Sequence, residues 1–367
     1  MEAHIQRQGA RVGTPDTPPP VSAETALSPG AVRRLHHPQG EVTVTEVGDG
    51  TRRVTVSPRD PELFMRVRSC ATRYPLTLIE SVLEVKGLAA VGDEIEREEQ
   101  PGYLQNVLGW TVRAHLDADE LRDRRVLDFG CGSGASTMIL ARMFPGAEIV
   151  GVDMDAPSLR LAAARAEHYG RPAVAFVRSP DALRLPPGLG TFDVIVFSAV
   201  AEHLLPAERD AVIPAVWELL APGGVLLVGE TPHRWTPVEL HTTGGLPLLN
   251  YLPAPLALRA ARRFSARVRR DATWPELLRA GIRGATERQF LAILRRAGAP
   301  GGAPALRRPA GRAGLRDEFD LWYVISSANE LPGAKARLRD AFRALKRLTG
   351  VSFTPYLSFA IQKARRP

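Results

Sequence analysis

The sequence predicts an α/β protein built on a doubly wound, mostly parallel sheet with helices on both faces, an N-terminal appendage and an insertion after the fifth strand. Short apolar runs at 125–129, 148–152, 174–177, 193–197 and 224–229 read as buried strands. Segments with apolar residues at helical spacing, 135–143, 156–168 and 207–220, alternate with those strands. That alternation calls for parallel strands joined by right-handed crossovers, with the ligand crevice at the strands' carboxyl ends. The length, 367 residues, leaves room for one enzyme-sized core with additions.

Along the chain, residues 1–40 hold Pro15, Pro18, Pro19 and Pro20 among Ser, Thr and Gly and are expected as a mobile tail. Val42, Val44, Val54 and Val56 alternate on either side of Gly48-Asp49-Gly50, which predicts a β-hairpin. Helical periodicity at 76–85 and 103–116 completes an expected appendage, a hairpin and helical cap over 41–118, before a main domain over 119–367. Within that domain, the Pro-, Arg- and Leu-rich stretch from about 232 to 285 is an insertion with no legible fold. A helix at 286–297 follows, then expected strands at 319–326 and 352–362 on either side of a basic amphipathic helix at 333–348.

Composition closes several routes. Cys70 and Cys131 are the only cysteines, which excludes a disulfide framework and a Cys-rich zinc module. The longest apolar stretch, 246–258, is interrupted by Pro247, Asn250, Pro253 and Pro255, short of the roughly 20 residues that cross a bilayer. Residues 1–11 lack an apolar leader core, so a cytoplasmic location is expected, with peripheral contact at the inner membrane face as its extension. The net charge of +8 is concentrated, since 251–316 carries fifteen Arg against Asp271, Glu276 and Glu287, a local +12.

Chemistry concentrates in Asp128-Phe129-Gly130-Cys131-Gly132-Ser133-Gly134, a strand ending in an acid that runs through a glycine loop into a helix. This stretch resembles the class I S-adenosylmethionine-dependent methyltransferases, which share a Rossmann-like fold. Asp153 ends the second strand, Asp181-Ala182 follows the third, and Phe192–Val196 and Leu219–Leu226 repeat the family's later motifs in order. The resemblance implies S-adenosylmethionine as cofactor. It places the methionine part on Gly130, Cys131, Gly132, Ser133 and Gly134, with Asp128 toward its amino group. Asp153 and Met154 fall to the ribose side, Asp181 and Ala182 to the adenine, and Ser198 to the end of strand four.

After strand four, Glu202-His203 resembles the Glu-His of small-molecule methyltransferases, so Glu202 and His203 are expected beside the acceptor, His203 as a candidate general base. His233, after strand five, is a further candidate catalytic group, with His241 nearby. Quinone-pathway relatives bind a metal through an extra glutamate three residues before the Glu-His pair. Ala199 stands there, so no metal is expected. The amine-methylating Asn/Asp-Pro-Pro-Tyr motif is absent, which disfavours nucleobase substrates. The expected acceptor is an oxygen, next a carbon, on a small molecule, glycan or lipid-linked intermediate. The competing expectation is a non-catalytic cofactor-binding module that docks on a membrane or other polyanion through its arginines.

Overall fold

The computed structural model describes residues 28–117, 120, 123–171, 173–309, 311–326 and 332–365. Its strands are β1 Val32–His37, β2 Gly40–Gly48, β3 Thr51–Pro58, β4 Ser69–Thr72, β5 Arg125–Phe129, β6 Glu148–Asp153, β7 Ala175–Arg178, β8 Phe192–Ser198, β9 Leu220–Pro232, β10 Val238–Glu239, β11 Leu246–Pro247, β12 Pro304–Arg307 and β13 Tyr356–Lys363. The helices are α1 Leu76–Lys86, α2 Val91–Glu99, α3 Leu104–His115, α4 Ala135–Met143, α5 Ala156–His168, α6 Pro206–Glu218, α7 Ala254–Phe264, α8 Trp274–Arg279, α9 Glu287–Arg296, α10 Glu318–Ser326 and α11 Pro332–Thr349. A seven-stranded sheet runs β12-β13-β9-β8-β5-β6-β7. The pairs β5–β8, β8–β9 and β6–β7 are parallel, and β13 and β12 add antiparallel edges. The expected α/β fold is therefore present.

Contacts divide the chain into two compact units. One comprises residues up to Asn106 with Cys131–Pro145 and Ile149–Arg178. Its antiparallel sheet β1-β2-β3-β4 buries Val42, Val44, Val54 and Val56, as the alternation predicts, against Ile79, Val82, Leu88 and Ile95. Arg165, fully buried, is held by Ser133 O, Ser133 Oγ, Glu94 O and Glu94 Oε2 at 2.7–3.2 Å.

The other unit takes Val107–Gly130, Gly146–Glu148 and the chain from Ser179 onward. Trp217, Phe192, Phe197 and Phe290 lie fully buried in it. The insertion has a small core of its own, Leu249, Ala257, Ala261, Val268, Ala272, Leu277 and Ile282, built from α7, α8 and the turns around them.

Several expectations are corrected. Residues 32–37, expected in the tail, pair with β2 as a strand, while residues 1–27 lie outside the described residues. Residues 319–326 are helical rather than extended, because Asp317 accepts the N–H groups of Phe319 and Asp320 and starts α10. The expected strand at 352–362 begins only at Tyr356. The helix carrying Arg259, Arg262 and Arg263 ends at Phe264, so Arg267, Arg269 and Arg270 lie beyond it and no single arginine face forms.

Candidate active site

In the first unit the glycine loop follows from local sterics. Gly134 caps α4 in the left-handed region, φ +81°, where a side chain is strained. A Cβ there would also lie 2.7 Å from the Ala162 Cβ. Gly132, φ +52°, has open space where its side chain would stand. The Cys131 N–H donates to Val152 O (3.1 Å), and the Gly132 N–H donates to Asp153 Oδ2 (2.8 Å). Asp153 Oδ1 accepts the Asp155 N–H at 2.9 Å, and Asp155 caps α5 through the Ser158 N–H. The loop is thus pinned to the end of β6, its middle glycine open to a ligand.

Two expected loop contacts change. The Ser133 hydroxyl donates to Glu94 Oε2 at 2.6 Å and accepts from Arg165, so the side chain belongs to a buried ionic network and only its backbone stays available. Burial alone would push the Glu94 carboxyl up, but Arg165 and the Ser133 hydroxyl outweigh it and hold it down. Cys131 is buried, with its sulfur packed toward Gly151. Met154, half exposed, stands beside Asp153.

In the second unit Asp128 is buried near the end of β5. Gly130, φ +74°, leaves no room for a side chain: a Cβ would sit 2.4 Å from a Val200 methyl. Asp181 turns its carboxylate on its own loop. Oδ1 accepts the N–H groups of Leu183 and Arg184, and Oδ2 accepts the Arg184 guanidinium, the Nε donor at 2.7 Å, which holds its carboxyl below the usual range. Ala182 lies inside that turn. Ser198 Oγ donates to Glu230 Oε2 at 3.1 Å. Next to this pair, Ala199 and Glu230, at the ends of adjacent strands, both hold φ +54°, a strained setting for residues with a Cβ.

The Glu-His pair sits on a one-turn helix, Ala201–His203. Glu202 is fully buried; Oε2 accepts the Thr231 hydroxyl at 2.9 Å, while Oε1, equally buried, has no hydrogen-bond partner. Burial pushes its carboxyl up. The buried Arg209 clamps this turn through Leu204 O, Glu202 O and Gly284 O. His203 Nδ1 lies 2.6 Å from Arg279 O; a carbonyl only accepts, so Nδ1 carries a proton, and Nε2 lies 3.8 Å from Glu202 Oε1.

His241 reaches the same place from the insertion. The Glu239 carboxylate accepts the backbone N–H groups of His241, Thr242 and Thr243 at 2.6–3.1 Å, folding a tight turn that presents the imidazole 5.8 Å from that of His203. His233 is not brought to this cluster. It is buried, its Nδ1 accepts the Trp235 N–H at 3.2 Å, and burial pushes it down to about 4. Both His233 and His241 line a small cavity with Glu239, Asn250, Arg283 and Tyr356. The sequence pointed to Glu202 and His203 together; the place of His241 depends on the Glu239 turn, which no spacing rule announces.

Residues 127–226 match the family described as Methyltransferase domain. Three relatives are similar to parts of the chain. The demethylmenaquinone methyltransferase of Thermus thermophilus is 36% identical over 34% of this chain and 55% of its own. The trans-aconitate 2-methyltransferase of Paracidovorax citrulli is 35% identical over 30% of this chain and 40% of its own. The ubiquinone biosynthesis O-methyltransferase of a Chelativorans species is 30% identical over 47% of this chain and 65% of its own. Residues 127–226 thus match a methyltransferase domain, and the chain spans roughly half the length of these relatives.

Proposed function

We propose that the chain transfers a methyl group from S-adenosylmethionine to an oxygen, with carbon as second choice, of a small molecule, glycan or lipid-linked intermediate. The observation that carries this reading is the tie from the Gly132 N–H to Asp153, within the stretch that matches the methyltransferase domain. The residues fit the cofactor. Gly132 leaves its backbone open to the methionine part. Each Asp153 oxygen accepts one backbone N–H and keeps a second lone pair for a ribose hydroxyl. Asp128 supplies negative charge for the ammonium group. Asp181 would take the adenine amino group on Oδ2 by opening its exposed pair with Arg184, which costs little in water.

When bound, the sulfonium supplies an already activated methyl group, so the work of this chain is to bind, align and exclude water. Glu202 and His203 serve the acceptor. His203, its Nδ1–H committed to Arg279 O, offers Nε2 to the acceptor's hydroxyl proton while the oxygen's electron pair forms the new bond. His233, pushed down to about 4 by burial, is neutral at pH 7 and acts as an orienting group in the cavity wall.

The test is mass spectrometry of candidate acceptor pools for a cofactor-dependent gain of one methyl. His203→Ala is expected to slow turnover by about 10²–10⁴ with cofactor affinity kept. Unaltered turnover would remove His203 from the chemistry.

A further inference from the structure

The polar cluster at the Glu-His turn has the composition of a cation site. One carboxylate oxygen of Glu202 and one ring nitrogen each of His203 and His241 lie within 4.8 Å of one another. The buried Glu202 Oε1 has no hydrogen-bond partner, an expensive arrangement that a bound cation would repair. Thr231 fixes the other oxygen, so Oε1 is oriented rather than wandering. The Nδ1–H of His203 on Arg279 O selects the tautomer that offers Nε2, the backing that metal-bound histidines carry. Gly281 completes the setting: φ is +95°, and a Cβ would stand 2.9 Å from His241 Nε2 and 3.2 Å from Glu202 Cγ. The missing side chain is the room in which the two donors meet.

We propose that Glu202, His203 and His241 bind one divalent transition-metal ion of the zinc class. Two imidazoles and a carboxylate suit zinc, leaving a fourth position open. Ligands around such an ion sit at about 2.0–2.2 Å, hence about 3.3 Å apart, so small side-chain rotations close the set. The role of the ion rests on the methyl-transfer reading: in the open position it binds the acceptor hydroxyl and lowers its pKa, so that the proton leaves to water before the oxygen attacks. A bound ion thus replaces the base role that His203 has in the metal-free site: its Nε2 lone pair holds the metal and does not take the proton.

The test uses the full chain, dialysed against chelator and titrated with Zn²⁺ by calorimetry and with Co²⁺ by visible absorption. One ion per chain is expected. Losing a partner that merely backs a ligand costs 10–100-fold in metal affinity, so His241→Ala and Glu202→Gln should each weaken binding by more than about 100-fold. Where His241→Ala does not fold, as judged by circular dichroism, His241→Gln is measured instead. Absence of stoichiometric binding, or equal binding by the His241 variant, overturns the proposal. S-adenosylmethionine affinity, measured on the same preparations, should be unchanged in the His241 variant. Metal binding without cofactor binding would strike the methyl-transfer reading alone, and the reverse result the metal alone.

Discussion

Asp153 does two jobs, bracing the glycine loop through Gly132 and presenting acceptors at the end of β6. Hydrogen bonds to a charged group contribute about 1.5–3 kcal/mol, so Asp153→Ala should weaken S-adenosylmethionine binding roughly 10- to 150-fold by calorimetry. Unchanged affinity would show that the β6 acid does not hold the ribose. Gly281→Ala tests the other side, since it forces a Cβ into left-handed backbone against His241. It should lower unfolding free energy by about 1–3 kcal/mol in denaturant titration, whereas a neutral result would mean that the turn moves aside at no cost. Such residues differ in legibility. The bend from Asp128 to Gly134 and its tie to Asp153 were readable because they lie in contiguous strand-end motifs. Ser133 was not, because Arg165, distant in sequence, decides where its hydroxyl points.

At the scale of elements, α2 is rich in acids, and its last turn holds the fully buried Glu98. That carboxylate accepts the Tyr74 hydroxyl at 2.5 Å and the Tyr169 hydroxyl at 2.8 Å, and pairs with Arg142. Removing one partner of a buried ion pair leaves the other uncompensated, so Glu98→Ala should cost about 3–5 kcal/mol in chemical denaturation. A loss below about 1 kcal/mol would mean that solvent reaches Arg142. Acidic spacing gave no hint, since burial of Glu98 is decided by tyrosines on other elements. The same holds for α10, whose continuous apolar run suits a strand as well as a helix; Asp317 at its start and the pairing of the buried Asp320 with Arg316 and Arg343 settle the matter. The central strands and helices were legible because their periodicities are long and bounded by turns. The insertion was less so: besides the eleven-residue α7 it is made of two-residue strands, a six-residue helix and turns.

Across the whole molecule the arginine excess is largely spent internally. Arg279 pairs with Glu208, Arg296 with Asp210, Arg307 with Glu120, Arg312 with Asp117 and Arg316 with Asp320, while Arg262 and Arg283 bind backbone carbonyls. This removes much of the support for docking on a polyanion, although Phe264, Leu248 and Leu256 stand exposed nearby. Among the described residues no helix is long and apolar enough to cross a membrane. Stability should depend on pH through His115, which burial pushes down to about 4. Between about pH 6.5 and 4 the unfolded chain takes up a proton there that the folded chain refuses, so stability from this site falls as pH falls. Glu99, pushed up to about 7 by burial and Glu98, works in the opposite direction, so the readout is a difference. Wild-type stability minus that of His115→Asn should drop by about 1.4 kcal/mol per pH unit on acidification across that window, and a flat difference would mean that His115 charges in the folded state. The central claim, that this chain binds S-adenosylmethionine at its glycine loop and Asp153, is tested most directly by calorimetric titration of the full chain with that cofactor. Saturable binding at one site per chain, lost in Asp153→Ala, is the predicted result; no binding, or equal binding by that variant, would contradict it.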